Sequence, residues 1–158
     1  MRDFSGLWYL HERNIVHGDV KPANILVNAD LTEVKVCDFG ISRIKTRIQQ
    51  TVASTFMRGT VIYMAPETVP NNIRPNFKTD VWCAGATMLE VILQQELWGV
   101  PEEADLNEFL VKKMSSSTQP SALAELSKRD KDLFKKVKRA LAYDPKKRAT
   151  AEELYKLF

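Results

Sequence analysis

The chain has 158 residues, with a hydrophobic fraction of 44% and a charged fraction of 27%, which suffices for one domain with its own core. The formal net charge of +3 is too small an excess to indicate a nucleic acid or a membrane surface as partner. No apolar run has the length of a membrane span, and the first residues do not resemble a secretory signal. Two cysteines, Cys37 and Cys83, are too few for a disulfide framework, so we expect reduced thiols in an intracellular, cytoplasmic protein.

The first part of the chain alternates between short apolar runs and polar loops. Apolar side chains at helical spacing predict a helix over residues 4–13. The apolar run 25–27 and the alternating run 34–37 lie on either side of a polar turn, which predicts a small β-hairpin. Residues 41–60 are polar, basic and weakly periodic, which predicts a long functional loop.

The second part of the chain reads as helical. Residues 80–93 are apolar almost all round, as in a buried central helix, whereas residues 104–114 and 130–141 are amphipathic. Thr150 is a predicted N-cap for a last helix, because Glu153 stands three residues later and completes a capping-box pattern. The chain shows no internal repeat, so the sequence predicts a single α+β domain that is mainly α.

The segment 17–24, HGDVKPAN, brings a carboxylate, an ammonium group and an amide within six residues on a loop. Asp19 is suited to accept a proton or to orient a nucleophile, and Lys21 to neutralise a phosphate. Asn24 offers an oxygen ligand for a metal. Considered by itself, the segment is also compatible with a polar turn before a strand.

A second polar motif, DFG at residues 38–40, follows directly after the second predicted strand. A carboxylate at a strand end beside a glycine suits a hard cation such as magnesium. Asp38 lies 19 residues beyond Asp19. Asn24 directly precedes the predicted hairpin and Asp38 directly follows it, so the two residues flank the same hairpin. Together they predict a site for a divalent cation.

These motifs, in this order, resemble the protein kinase family of the serine/threonine type. Further matches are GLWYLH at residues 6–11, GTVIYMAPE at 59–67, DVWCAG at 80–85 and DPKKR at 144–148. The resemblance covers essentially the whole chain. It implies a protein-kinase-like C-terminal lobe over residues 1–158, with a small β-hairpin at the catalytic loop and without the N-terminal lobe.

The resemblance also implies a role for each polar residue of the two motifs. Asp19 resembles the catalytic aspartate that orients the substrate hydroxyl, and Lys21 the lysine that steadies the transferring phosphoryl group. Asn24 and Asp38 resemble the two magnesium ligands, and Leu26 is expected beneath the adenine of ATP. The expected cofactors are therefore ATP and Mg²⁺, and the expected substrate is a protein with serine or threonine hydroxyls.

Other matching residues imply structural roles. Glu67 and Arg148 resemble a buried ion pair, and Asp80 resembles the aspartate that braces the backbone of the catalytic loop. His17 and Phe39 are expected to pack rather than to react. The KPAN sequence, together with Thr60, resembles the serine/threonine version of the family.

One departure from the family pattern concerns control by phosphorylation. The arginine that usually stands between the histidine and the aspartate, and that binds a phosphate on the activation loop, is replaced by Gly18. We therefore expect that phosphorylation of Thr51, Ser54 or Thr55 is not the main switch. The alternative is that an arginine elsewhere, at position 43 or 58, compensates for the substitution.

The second departure is the absence, before Asp19, of a glycine-rich phosphate loop and a strand lysine. We expect the isolated chain to have little or no kinase activity and to expose apolar surface for a possible partner. Two hypotheses follow: a competent kinase of which this is one part, or a non-catalytic interaction or scaffold module.

Overall fold

A computed structural model describes residues 4–30, 32–38, 43–44, 61–68 and 73–158. A first helix is followed by short strands and then by helices over the remainder of the described chain, so the fold is α+β and mainly α, as predicted. The helices are α1 (Ser5–Glu12), α2 (Phe77–Leu93), α3 (Leu106–Ser115), α4 (Ala122–Arg129), α5 (Lys131–Ala140) and α6 (Ala151–Tyr155). The strands are β1 (Ile15–Val16), β2 (Ile25–Val27), β3 (Val34–Val36) and β4 (Arg43–Ile44), and 3₁₀ turns cover Pro22–Asn24 and Val61–Tyr63.

The predicted hairpin is confirmed, with β2 and β3 antiparallel and Ile25 opposite Val36. A second pair of strands was not predicted. The backbone of β4 pairs with β1. Positions 43–44 therefore form a strand, which contradicts the prediction of one continuous loop over residues 41–60. Two-residue strands are too short to show an alternating pattern, so sequence periodicity could not reveal them. The remainder of that predicted loop lies outside the described residues.

Helix α2 forms the centre of the core. It begins at Phe77, three residues before the predicted start, because Asn76 caps it and forms a reciprocal capping box with Thr79. Trp82 and Leu89, on this helix, are completely buried. A Cβ atom at Gly85 would lie 2.7 Å from the Cβ of Ala140, so the glycine allows α5 to pack directly on the backbone of α2.

The helices after α2 follow the predictions closely, with one exception. The predicted helices over residues 104–114 and 130–141 are observed within two residues of those bounds, as α3 and α5. Helix α4 was missed, although it buries Leu123 and Leu126 against the core. Its eight residues span barely two turns, which leaves little periodicity to detect. The capping box of Thr150 and Glu153 is confirmed.

Among the helices of the described ranges, none combines the length and the apolar character that a segment needs to cross a bilayer.

Candidate active site

The loop that carries Asp19 is held in place by a buried carboxylate on α2. Asp80 is 1% exposed, and its two oxygens accept the backbone N–H groups of His17 and Gly18, each at 2.8 Å. The ring Nε2 of His11 lies 3.0 Å from Asp80 Oδ2. Asp80 also stands in the first turn of α2, where the helix dipole favours a negative charge. The predicted bracing of the loop by Asp80 is therefore confirmed.

The backbone of this loop turns at Gly18, which has a φ of +83°. A glycine adopts this left-handed conformation without the steric cost that a larger residue meets. His17 is fully buried, and its Nε2 atom lies 3.0 Å from the carbonyl oxygen of Cys37. His17 thus packs between the loop and the end of the hairpin, as expected.

Asp19 has two carboxylate oxygens in different surroundings. The Lys21 ammonium lies 2.7 Å from Oδ2, and Asn24 Nδ2 donates to the same oxygen at 3.1 Å. Asn24 Nδ2 also donates to the Asp19 carbonyl at 2.7 Å, which fixes the loop between the two residues. The other carboxylate oxygen, Oδ1, is buried and has no hydrogen-bond partner among the described residues. The carboxylate is therefore fixed through Oδ2, while Oδ1 has no partner in the described part of the chain.

Asn24 and Asp38 are brought near each other by the hairpin. The backbone N–H of Cys37 donates to the Asn24 carbonyl at 2.9 Å. Asp38 is the next residue after Cys37, so this hydrogen bond holds its backbone close to Asn24. Asn24 is 4% exposed, and because its Nδ2 binds Asp19, its amide oxygen is the atom available to a metal. Asp38 has a φ of +61°, which is uncommon for a residue other than glycine.

The donor set of one amide oxygen and one carboxylate fits magnesium bound together with nucleotide phosphates. Magnesium is usually held by one or two carboxylates plus substrate phosphates and waters, rather than by a cage made only of protein atoms. Among the described residues, no group of three or more His, Cys, Asp or Glu side chains is placed to hold an ion. Asn24 and Asp38 are thus suited to a metal that arrives with ATP.

Leu26 lies on the opposite face of β2 from Ile25 and Val27. Its side chain is 57% exposed, whereas its two neighbours in the strand line an apolar cavity between the hairpin and α2. The alternation follows from the two-residue period of a strand. An exposed leucine at the catalytic loop is compatible with the predicted place beneath the adenine, which remains a prediction.

The predicted ion pair of Glu67 and Arg148 is confirmed. Arg148 Nη1 and Nη2 bind the two carboxylate oxygens of Glu67 at 2.7 and 3.0 Å, and the Arg148 side chain is completely buried. The remaining donors of the guanidinium bind the backbone carbonyls of Lys78, Ala142 and Tyr143. This arrangement joins the segment that follows the Val61–Tyr63 turn to the start of α2 and to the loop before α6.

Neither cysteine forms a disulfide. Burial is the main cause of the raised pKa of the Cys83 thiol. The thiol therefore stays protonated and acts as a packing group rather than as a nucleophile. The roles assigned above to Phe39 and Thr60, and the possible phosphorylation sites Thr51, Ser54 and Thr55, fall outside the described residues.

Two contacts around the site were not predicted from the sequence. His11 binds Asp80 across 69 positions of the chain, and the indole N–H of Trp98 donates to the carbonyl of Ile62 at 2.8 Å across 36 positions. No local pattern marks either pair, because the partners meet only after α2 has packed. The His11 contact could have been suspected only from its place in the GLWYLH match.

Comparison with known proteins places this site in context. The chain matches the protein kinase domain family over residues 3–157. It is 36% identical to the serine/threonine-protein kinase pakF of Dictyostelium discoideum and 35% identical to the mitogen-activated protein kinase kinase kinase YODA of Arabidopsis thaliana, over 94% and 95% of the chain. It is also 34% identical, over 94% of the chain, to mitogen-activated protein kinase kinase 2 of Arabidopsis thaliana.

The chain spans 12%, 16% and 40% of the lengths of these three relatives. The match to the family nevertheless extends from the first helix to the last, and it includes the loop of Asp19 and the hairpin. The chain belongs to the protein kinase family.

Proposed function

We propose that this chain provides the phosphoryl-transfer site of a serine/threonine protein kinase, which transfers the γ-phosphoryl group of ATP to serine or threonine hydroxyls of a protein substrate. The observation that carries the proposal is the state of Asp19. One of its oxygens is fixed by Lys21 and Asn24, and the other is buried without a partner among the described residues. A hydroxyl that donates to the Asp19 carboxylate would be oriented for attack and would have a base for its proton.

The other polar residues have complementary tasks. The Lys21 ammonium, now 2.7 Å from Asp19, is within reach of a phosphoryl group that enters beside the carboxylate. Asn24 and Asp38 would hold Mg²⁺, and Leu26 would contact the adenine. Bound magnesium and ATP would supply the phosphoryl group and neutralise its charge, so that positioning and electrostatics suffice for catalysis.

Three observations support the choice of serine and threonine as acceptors: the KPAN sequence at residues 21–24, the threonine at position 60, and the names of the relatives. The test is a phosphotransfer assay with the longest natural polypeptide that contains these 158 residues. Acid hydrolysis of the labelled substrate should yield phosphoserine or phosphothreonine. Phosphotyrosine alone would contradict the acceptor class, and no transfer at all would contradict kinase function.

The proposed location is the cytoplasm, which imaging of the tagged polypeptide would test.

The isolated 158 residues are expected to bind magnesium-ATP weakly, since they contain no glycine-rich loop and no strand lysine before Asp19. We therefore expect no nucleotide-dependent rise in the unfolding temperature of this chain, for the wild type and for Asp38→Asn alike. A thermal-shift titration with magnesium-ATP checks this. A rise in the wild type that Asp38→Asn abolishes would show that the chain binds the nucleotide alone.

Activation by phosphorylation of the 41–60 segment is expected to contribute little. Gly18 has no side chain that could bind a phosphate. Its backbone has the left-handed conformation that glycine adopts readily, so the loop keeps its turn without an arginine at this position. Replacing Thr51, Ser54 and Thr55 together by alanine should leave most of the activity of the longest polypeptide intact. The measurement is the rate of phosphotransfer, and complete loss of activity would contradict the prediction.

A second candidate function is a non-catalytic interaction module, and the apolar cavity beside the hairpin favours it. The cavity has a volume of about 180 Å³, and two of its lining residues, Val27 and Val91, are each 48% exposed. Such a surface suits a partner that inserts apolar side chains. Absence of phosphotransfer in the longest polypeptide, together with partner binding that is insensitive to Asp19→Asn, would favour this alternative.

A further inference from the structure

The positive charge of the chain is concentrated around helix α5. Residues 128–147 contain nine lysine or arginine side chains and three aspartates, whereas the whole chain has a net charge of only +3. The remainder of the chain is therefore slightly acidic. Such a separation of charge creates a local positive surface that the net charge conceals.

Three lysines form a row on the solvent side of α5. Lys131, Lys135 and Lys138 are all exposed, and their spacing of four and three residues places them on one face of the helix. Val137 and Ala140, on the opposite face, are buried in the core. This lysine row extends over seven residues of helix, which corresponds to about 10 Å.

The lysine row is not neutralised by an ion pair within the described part of the chain. Asp132, the one acidic residue of α5, pairs with Lys136 at 3.0 Å and not with the row. Lys138 contacts the ring of Phe134, with 5.4 Å between Nζ and the ring centroid. Like charges three or four residues apart on a helix repel each other, so the row carries a repulsion that a bound anion would relieve.

The loop after α5 continues the positive surface. The backbone N–H of Ala149 donates to the carbonyl of Arg139 at 3.1 Å, which attaches this loop to the end of the helix. Lys146 and Lys147, within the loop, are both exposed. A partner that follows the lysine row towards the C-terminal end of α5 therefore meets further cations.

The surroundings of the lysine row favour an acidic polypeptide over a membrane or a nucleic acid. Insertion into a lipid surface requires exposed apolar side chains beside the cations, and stacking on unpaired bases requires exposed aromatic rings. The large exposed apolar side chains of the described residues all lie outside α5 and the loop after it, at Tyr9, Leu26, Val27, Ile73, Val91 and Val111. An extended segment of about three or four residues has the length of the row.

We propose that the lysine row of α5 is a docking surface for an extended, acidic segment of a protein partner. The carboxylates of the segment pair with the three ammonium groups and relieve their mutual repulsion. The row belongs to α5, whereas Asp19, Lys21 and Asn24 precede β2 in the chain. Docking is therefore a binding function in addition to phosphoryl transfer, and it does not depend on catalysis.

The test measures binding of a fluorescein-labelled, short polyglutamate peptide to the longest natural polypeptide that contains these residues. Fluorescence anisotropy should show saturable binding that weakens as the ionic strength rises, because salt screens exposed charges. A polyglutamine peptide of the same length is the uncharged control and should not bind. Absence of polyglutamate binding at low ionic strength would overturn the inference.

Replacing Lys131, Lys135 and Lys138 together by glutamine should raise the Kd for polyglutamate about five- to fifty-fold, which is the combined effect of losing three exposed ion pairs. The matched control removes the same net charge from exposed positions on other parts of the chain, by glutamine at Lys35, Arg74 and Lys112. This control should leave the Kd nearly unchanged. An equal rise in both variants would show that net charge alone attracts the peptide, and would overturn the inference.

Thermal unfolding tests whether the lysine row serves the fold instead. The lysine-row variant should unfold at the temperature of the wild type or above it, since the change removes like-charge repulsion and breaks no ion pair among the described residues. A lower unfolding temperature would show that the three lysines stabilise the fold, which contradicts the repulsion on which the proposal depends.

The choice of an acidic polypeptide is tested with two other anionic probes, namely vesicles of phosphatidylserine and phosphatidylcholine and a DNA duplex. Their affinities should be affected equally by the lysine-row variant and its matched control. If the lysine-row variant alone loses affinity for the vesicles or the duplex, while polyglutamate binding is unchanged, the surface belongs to that partner and the inference is overturned.

Discussion

Asp19→Asn should lower the kcat for phosphotransfer by about 10²- to 10⁴-fold in the longest polypeptide that carries this chain. An asparagine has nearly the same shape, so Asn24 and the loop backbone can keep their positions. The amide cannot take the proton of a substrate hydroxyl, and it removes the negative charge that Lys21 contacts at 2.7 Å. Binding of ATP should change little, because Asn24 and Asp38 are retained. Initial rates at saturating ATP and protein substrate measure this effect.

The matched control is Asp30→Asn, which makes the same chemical change in an exposed turn. Asp30 accepts a hydrogen bond only from the nearby Thr32 hydroxyl among the described residues, so its replacement should leave the kcat unaltered. If Asp19→Asn keeps a rate close to that of Asp30→Asn, Asp19 is not the catalytic base, and the reading of its buried Oδ1 is wrong.

Arg148→Met should lower the free energy of unfolding by about 3–5 kcal/mol, because it leaves the Glu67 carboxylate without its cation in a poorly hydrated place. The Glu67 side chain is only 12% exposed, and the guanidinium that it faces is completely buried. The change also removes the donors to the carbonyls of Lys78, Ala142 and Tyr143. Urea denaturation followed by circular dichroism measures the loss.

A suitable control for this variant is Lys156→Met. Lys156 directly follows α6 and pairs with Glu152 of that helix, but the two side chains are 65% and 49% exposed, so water replaces the lost contact. Its unfolding curve should nearly coincide with that of the wild type. Equal unfolding midpoints for Arg148→Met and Lys156→Met would contradict the structural role of the buried pair. Replacing Glu67 by glutamine in the Arg148→Met background should restore part of the loss, since the unpaired charge is then gone.

The parts of the fold and site that the sequence predicted well are those encoded by near neighbours. Asp19, Lys21 and Asn24 stand within six residues, so their meeting at one point needs only a local turn. The hairpin and the capping box of Thr150 likewise depend on residues close together in the chain. The pairing of Glu67 with Arg148 came from the family resemblance and not from any local pattern.

What the sequence did not reveal depends on contacts between distant residues or on very short elements. The pairing of β1 with β4 involves only two residues on each strand. The bond between Trp98 and Ile62 requires the whole of α2 between them to be in place. The buried, unpartnered oxygen of Asp19 is a property of the packed loop, because composition says nothing about which of two carboxylate oxygens is enclosed.

The ion pair of Glu67 and Arg148 has a consequence for the timing of folding during synthesis. The two partners are 81 residues apart, so at about 5–20 residues per second the ribosome adds Arg148 about 4–16 s after Glu67. Throughout that interval the Glu67 carboxylate has no guanidinium and must remain hydrated, which keeps the segment after the Val61–Tyr63 turn from docking on α2. This segment can therefore take its final place against α2 only after Arg148 has been added.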